Sequence, residues 1–272
     1  MTKMQKRTIN GIEIAFIERG SGPVLLLLHG FPLDHSMWDA QIDVFAEQYC
    51  VIAVDLRGFG QSQIVTGTTD MELMADDLPA LLDSLGINEP IVLAGLSMGG
   101  YVAFQFALKY AERLRGLILC DTRAMGDTPE VAAGRRQAAE QVMADGPQSL
   151  VEAMMPRLFA AETVEQHPDV VDSLRRVMMA TDRQTVAAAA RGMARRPDVR
   201  AQLGEIECPT LVIVGEHDAI SPVDEMQAIA AGIAGSRFVE IAGSGHMSPM
   251  EKPDAFNAVV LEFLADMQAM GS

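Results

Sequence analysis

Residues 95–99 read Gly-Leu-Ser-Met-Gly, which brackets Ser97 between two glycines directly after the apolar run Ile91–Ala94. A serine hydroxyl is a weak nucleophile at neutral pH and needs a neighbouring base to activate it. Small residues two positions to either side let a strand and a following helix cross closely, so that the turn between them holds the serine out. A helix starting near Met98 would aim its free N–H groups and positive dipole end at the same place. A tight turn that merely happens to use serine has the same five residues. The strand–turn–helix setting is what favours a nucleophile elbow.

Three other stretches supply partners. His29-Gly30-Phe31-Pro32 ends the run Val24–His29. If the two strands are near neighbours, the Phe31 N–H lies beside the elbow and forms, with the N–H of Met98, a two-donor oxyanion hole. One such donor is worth about 3 kcal/mol of transition-state stabilisation. The same residues also suit a simple turn, and His29 reads as a brace for that loop rather than a proton carrier. Gly215-Glu216-His217-Asp218 follows the run Thr210–Val214, and Gly243-Ser244-Gly245-His246 follows Phe238–Ile241.

The order Ser97, Asp218, His246 is the order that accompanies this elbow. In that arrangement His246 is the base, and Asp218 fixes its tautomer and stabilises the imidazolium. Of the five histidines, His35, His167 and His217 read as surface or loop residues. Asp121 ends another apolar run and competes with Asp218 for the role of acid. Glu216, two residues from Asp218, is expected to point elsewhere.

Strands alternating with helices must hold these pieces. Buried strands are expected at Val24–His29, Cys50–Asp55, Ile91–Ala94, Leu117–Cys120, Thr210–Val214 and Phe238–Ile241. Helices are expected at Met71–Leu85, Gly100–Leu114, Pro222–Gly232 and Pro253–Met267. Continuous apolar strands separated by helices argue for a parallel sheet covered on both faces. Lys6–Asn10 and Glu13–Glu18, joined by Asn10-Gly11, read as an edge hairpin. Between Asp121 and Glu207 no strand is evident. Thr128-Pro129-Glu130 opens a stretch of four expected helices, rich in methionine and arginine, that would lie over the sheet's C-terminal edge. Its methionines fit either a soft apolar pocket or ordinary packing between layers.

The chain has 272 residues, 49% of them hydrophobic, enough for a large core. Its net charge of −16 argues against nucleic acid or an anionic membrane as the main partner. Three scattered cysteines and no Cys/His cluster imply reduced thiols, no metal and a cytoplasmic protein. The N-terminus lacks the apolar segment of a signal peptide, and no run is long enough to span a membrane.

On HGFP at 29–32, DLRGFGQS at 55–62, GLSMG at 95–99, GEHD at 215–218 and GSGHMSPMEKP at 243–253, the chain resembles the α/β-hydrolase family over essentially its whole length. The resemblance implies an α/β fold with a mostly parallel central sheet, helices on both faces and a helical cap inserted after the sixth strand. The core would comprise 1–122 and 206–272, and the cap 123–205. It also implies catalytic Ser97, Asp218 and His246, an oxyanion hole from the backbone of Phe31 and Met98, and no cofactor.

The family is chemically broad. Its epoxide hydrolases and haloalkane dehalogenases use an aspartate nucleophile where this chain has Ser97. The epoxide hydrolases also need cap tyrosines, whereas Tyr49, Tyr101 and Tyr110 all lie outside the expected cap. HGFPLDHSMWDAQ and CDTRAMGDTPE look most like the enol-lactonase and small carboxylesterase branch. The expected substrate is a small, largely apolar ester or lactone, with a cap arginine available should it carry a carboxylate. Carbon–carbon bond hydrolysis, perhydrolysis as a side reaction, and a triad-bearing small-molecule receptor are the alternatives. The oligomeric state is not legible.

Overall fold

The apolar runs pair into one eight-stranded sheet in the computed structural model, which describes residues 3–270. The strands are β1 (Gln5–Ile9), β2 (Ile12–Arg19), β3 (Val24–Leu28), β4 (Cys50–Asp55), β5 (Ile91–Leu96), β6 (Leu114–Cys120), β7 (Thr210–Gly215) and β8 (Arg237–Ile241). Their order across the sheet is β1-β2-β4-β3-β5-β6-β7-β8. The β1–β2 hairpin turns at Asn10-Gly11, both with positive φ, and joins the sheet antiparallel to β4; every other pairing is parallel. The parallel strands therefore all point their C-terminal ends, and the loops that follow them, to one side of the molecule.

Side chains alternate across a strand, so a sheet buried on both faces needs apolar residues at every position. Leu26 and Leu28 pack with α2 (Met71–Ser84), α3 (Met98–Lys109) and α9 (Val223–Gly232) on one face. Leu25 and Leu27 pack with α1 (Asp39–Phe45) and α11 (Pro253–Met270) on the other. This explains why VLLLL is apolar throughout rather than in alternation.

Between β6 and β7 the chain is helical. It runs through α4 (Pro129–Asp145), α5 (Gln148–Met154), α6 (Ala161–Gln166), α7 (Pro168–Ala180) and α8 (Arg183–Met193). That is five α-helices where four were expected. The breaks before α5, α6 and α7 fall at Pro147, Pro156 and His167-Pro168, whereas the break between α7 and α8 has no proline: there the Asp182 carboxylate caps α8 by accepting the Gln184 N–H at 2.8 Å. α10 (Ser248–Glu251) is a further short helix after β8. The largest boundary difference from expectation lies at α3. The helix expected over Gly100–Leu114 begins at Met98 and ends at Lys109, and Leu114 already belongs to β6. Helix α1 was not anticipated, being only seven residues long. No helix among the described residues is long and apolar enough to cross a membrane.

The loop after β4 is held by buried charges. Arg57 donates to both oxygens of Asp77 on α2. Asp55 accepts from the N–H groups of His35 and Gln61 and from His35 Nδ1 at 2.6 Å. His35 is thus no loose loop residue, as its sequence context suggested. Burial alone would push its imidazole down, but the Asp55 carboxylate reverses this and holds it above its ordinary 6.5. Burial likewise pushes Asp55 up, and its bonds with His35 and Gln61 bring it below its ordinary 3.8.

A raised histidine contributes stability below its unfolded pKa and loses it as pH rises through the folded value. A depressed carboxylate contributes above its unfolded pKa and loses it on acidification. The pair is therefore worth most between about pH 4 and 6.5. The wild-type urea midpoint should fall between pH 6 and 8 by more than that of His35→Gln. Parallel curves would show that this pair does not set the slope.

Candidate active site

Ser97 joins β5 to α3 with φ 53° and ψ −111°, a conformation that side-chain-bearing residues rarely adopt. The flanking glycines have steric reasons. A Cβ on Gly95 would collide with the Gly99 carbonyl, and one on Gly99 would lie 2.5 Å from the Leu28 carbonyl oxygen. The elbow is anchored sideways onto β6: the Ser97 N–H donates to Cys120 O at 3.0 Å, and Thr122 Oγ1 donates to Ser97 O at 2.7 Å.

The loop after β3 lies against this turn. A Cβ on Gly30 would sit 3.5 Å from Ser97 Cβ. His29 braces the loop, as its context suggested. It is fully buried, its Nε2 accepts the Leu56 N–H at 3.0 Å, and its Nδ1 lies 2.8 Å from the Gly30 carbonyl. Burial lowers its pKa against the pull of that carbonyl, which fits a neutral imidazole with the proton on Nδ1. The Phe31 ring stands edge-on to Phe59 at 6.3 Å and packs on Ala139, Ala187 and Ala190 from α4 and α8.

On the far side, Gly215 ends β7 where a Cβ would collide with the Gly245 carbonyl, so the loop after β7 and the loop after β8 are pressed together. The His217 N–H donates to Ser244 O at 2.8 Å and stitches them. His246 is buried, and its Nδ1 lies 2.8 Å from Asp218 Oδ2. The other Asp218 oxygen accepts the N–H groups of Ile220 at 2.7 Å and Ser221 at 3.0 Å. Burial pushes the Asp218 carboxyl up, and the facing imidazole and these two donors more than reverse that, leaving it below its ordinary 3.8. With Nδ1–H committed to a carboxylate, Nε2 is the nitrogen left to accept a proton.

Asp121, the rival acid, is built differently. It lies at φ 46° directly after β6. Its Oδ1 accepts the Gly215 N–H at 2.8 Å, and its Oδ2 accepts from Ser248 Oγ at 2.5 Å. Burial drives its carboxyl well up, and the nearby Asp218 charge adds to that. It ties β6 to the start of β7's loop and to α10, and the hydrogen bonds above put it on a structural mount rather than on the imidazole. Glu216 faces away, accepting the N–H of Gly243, and His217 is exposed.

The helical segment closes over these loops through Thr185 Oγ1 to Gly58 O, Thr181 Oγ1 to Pro32 O, and the Met247 N–H to Leu158 O. Its buried or half-buried arginines are occupied by protein acceptors. Arg135 and Arg196 share Asp127, Arg123 forks onto Glu225, and Arg191 donates to Gly67 O. Sequence reading passed over Glu251, whose carboxylate lies beneath the His246 loop. Its one local signal is its place a helical turn after Met247.

A family model described as the alpha/beta hydrolase fold matches residues 23–253. The 3-oxoadipate enol-lactonase 1 of Acinetobacter baylyi is 29% identical over 260 residues, covering 96% of this chain and 92% of that protein. Among solved structures, a thermophilic esterase from Thermogutta terrifontis, with malate bound, is 48% identical with a TM-score of 0.95, covering 97% of this chain and 99% of that one. The enol-lactonase from Burkholderia xenovorans LB400 is 31% identical with a TM-score of 0.90, covering 96% and 100%.

Proposed function

The chain belongs to the α/β-hydrolase fold family, and from that premise we propose that it is a serine hydrolase cleaving small carboxylic esters or lactones through an acyl-enzyme on Ser97. The observation that carries this reading is the buried Asp218–His246 pair, held at the same edge of the sheet as a serine in a left-handed backbone conformation. His246 Nε2 takes the Ser97 Oγ proton as Oγ attacks the carbonyl carbon. The N–H groups of Phe31 and Met98 receive the carbonyl oxygen as it becomes anionic. The tetrahedral intermediate collapses, the C–O bond breaks, and His246 returns the proton to the leaving oxygen. A water, deprotonated by the same imidazole, then attacks the ester on Ser97, the imidazole returns that proton to Ser97 Oγ as the acyl C–O bond breaks, and the carboxylic acid departs. In a lactone the leaving oxygen stays tethered to the acyl group, so one product results.

Residues 123–205 act in this reading as the cap, whose Ala139, Ala187 and Ala190 pack against Phe31 of the loop after β3. The engagement of Arg123, Arg135 and Arg196 with carboxylates favours neutral substrates over those bearing a free carboxylate. The similarity to an esterase and to enol-lactonases supports ester or lactone chemistry. The test is a panel of short p-nitrophenyl esters, neutral lactones, a carboxylated enol-lactone and a ring-cleavage dienol. Neutral esters or lactones should exceed the carboxylated compound in kcat/KM by about tenfold or more, a difference of about 1.4 kcal/mol. Preference for the carboxylated lactone would reverse the substrate reading while leaving the nucleophile in place. No turnover on any would remove the ester-hydrolase reading.

A further inference from the structure

Glu251 ends α10 and is buried, and its carboxylate accepts hydrogen bonds from the neighbouring loop and from a segment far earlier in the chain. Oε1 takes the N–H of Gly245 at 2.7 Å and that of Met247 at 3.2 Å, the two residues flanking His246. Oε2 takes the N–H of Ala160 at 2.8 Å and the hydroxyl of Thr163 at 2.7 Å, at the start of α6. A carboxylate offers about four acceptor sites and no donor, so these four groups fill it. The Met247 N–H is shared with Leu158 O at 3.2 Å, a second tie between the same two segments.

We propose that Glu251 is a positioning residue for His246. It fixes the backbone on both sides of the imidazole, and it fastens that backbone to the helical segment, so that placement of the base and closure over the site depend on one side chain. The proposal rests on the reading of His246 as the base. Small displacements of a base cost rate steeply, because proton transfer needs hydrogen-bond reach in the transition state. No neutral side chain of this size can replace the carboxylate fully. Glutamine offers one oxygen and one NH2 group. If its oxygen serves Gly245 and Met247, its NH2 faces the Ala160 N–H, and only the Thr163 hydroxyl can turn to accept it.

The test compares Glu251→Gln, Thr163→Val and His246→Ala on p-nitrophenyl acetate, with the downfield proton NMR signal of the His246 Nδ1–H as a second readout. Glu251→Gln is expected to lower kcat about tenfold with KM within about twofold, and to shift or broaden the Nδ1–H signal. Thr163→Val, which removes one donor and leaves Glu251 in place, should move both readouts the same way by about threefold in kcat. A folded Glu251→Gln with lower thermal stability but wild-type kcat and an unchanged signal overturns the proposal. Should Glu251→Gln not fold, Thr163→Val with unchanged kcat and signal overturns it. Retained activity in His246→Ala would instead remove the reading of His246 as base.

Discussion

Replacing Ser97 by alanine is expected to lower kcat for ester hydrolysis by about 10⁴-fold or more while leaving the fold intact. Alanine keeps the Cβ, so the cost of a side chain at φ 53° is the same in both proteins, and only the hydroxyl is lost. The remaining rate should come from oxyanion binding at Phe31 and Met98, which needs no nucleophile on the protein. Incubation with a fluorophosphonate gives a second readout. Wild-type protein should gain one phosphonyl group on the peptide containing Ser97, by loss of fluoride from phosphorus to the serine oxygen, and Ser97→Ala should gain none. Full hydrolysis by Ser97→Ala, or labelling elsewhere with equal speed, would rule out the acyl-enzyme. A parallel Ser97→Gly separates strain from chemistry. It relieves the left-handed backbone and should unfold at a higher urea concentration than Ser97→Ala, although it is equally inactive.

The elements that could be read from the sequence are those in which each residue type has a single steric or chemical reason. Gly95 and Gly99 were legible because close approach excludes a side chain at both, of α3 to β5 at Gly95 and of α3 to the end of β3 at Gly99. Val24–Leu28 was legible because a strand buried on two faces must be apolar throughout. What could not be read depended on partners far along the chain. His35 looked like a loop residue because its partner, Asp55, is 20 residues further on, at the end of β4. Glu251 looked like one more charge in MSPMEKP, and only the fold brings Ala160 and Thr163 to it. The helix overrun to Leu114 had a local cause. No glycine or proline stands between Lys109 and Leu114, so periodicity alone did not stop α3 where Tyr110 leaves helical geometry. Asp218 led as the acid in the sequence, but Asp121 stayed a competitor because both follow an apolar strand. The difference between them is which atoms their oxygens meet.

That difference yields the second large expected effect. Asp218→Asn should lower kcat by about 10⁴-fold, and Asp121→Asn by less than about tenfold. Asp218 Oδ2 accepts from His246 Nδ1, while Oδ1 is already filled by the N–H groups of Ile220 and Ser221. An asparagine that keeps its oxygen on those two N–H groups turns its NH2 toward the imidazole. Nδ1 must then accept, the ring proton moves to Nε2, and the nitrogen that should take the serine proton carries one instead. At Asp121 the same change is tolerable. Asparagine oxygen can accept the Gly215 N–H, and its NH2 can donate to Ser248 Oγ, because a hydroxyl serves as donor or acceptor. The pH dependence gives an independent check. Because Asp218 is held below 3.8 in the folded protein, it stays ionised across the working range, and its contribution to stability is lost only as pH falls through that depressed value. The urea midpoint of wild type should therefore drop more steeply below about pH 4 than that of Asp218→Asn. If Asp121→Asn is the inactive variant and Asp218→Asn the active one, the acid in this site is the residue after β6, and the pair formed by Asp218 and His246 serves only to hold the loop.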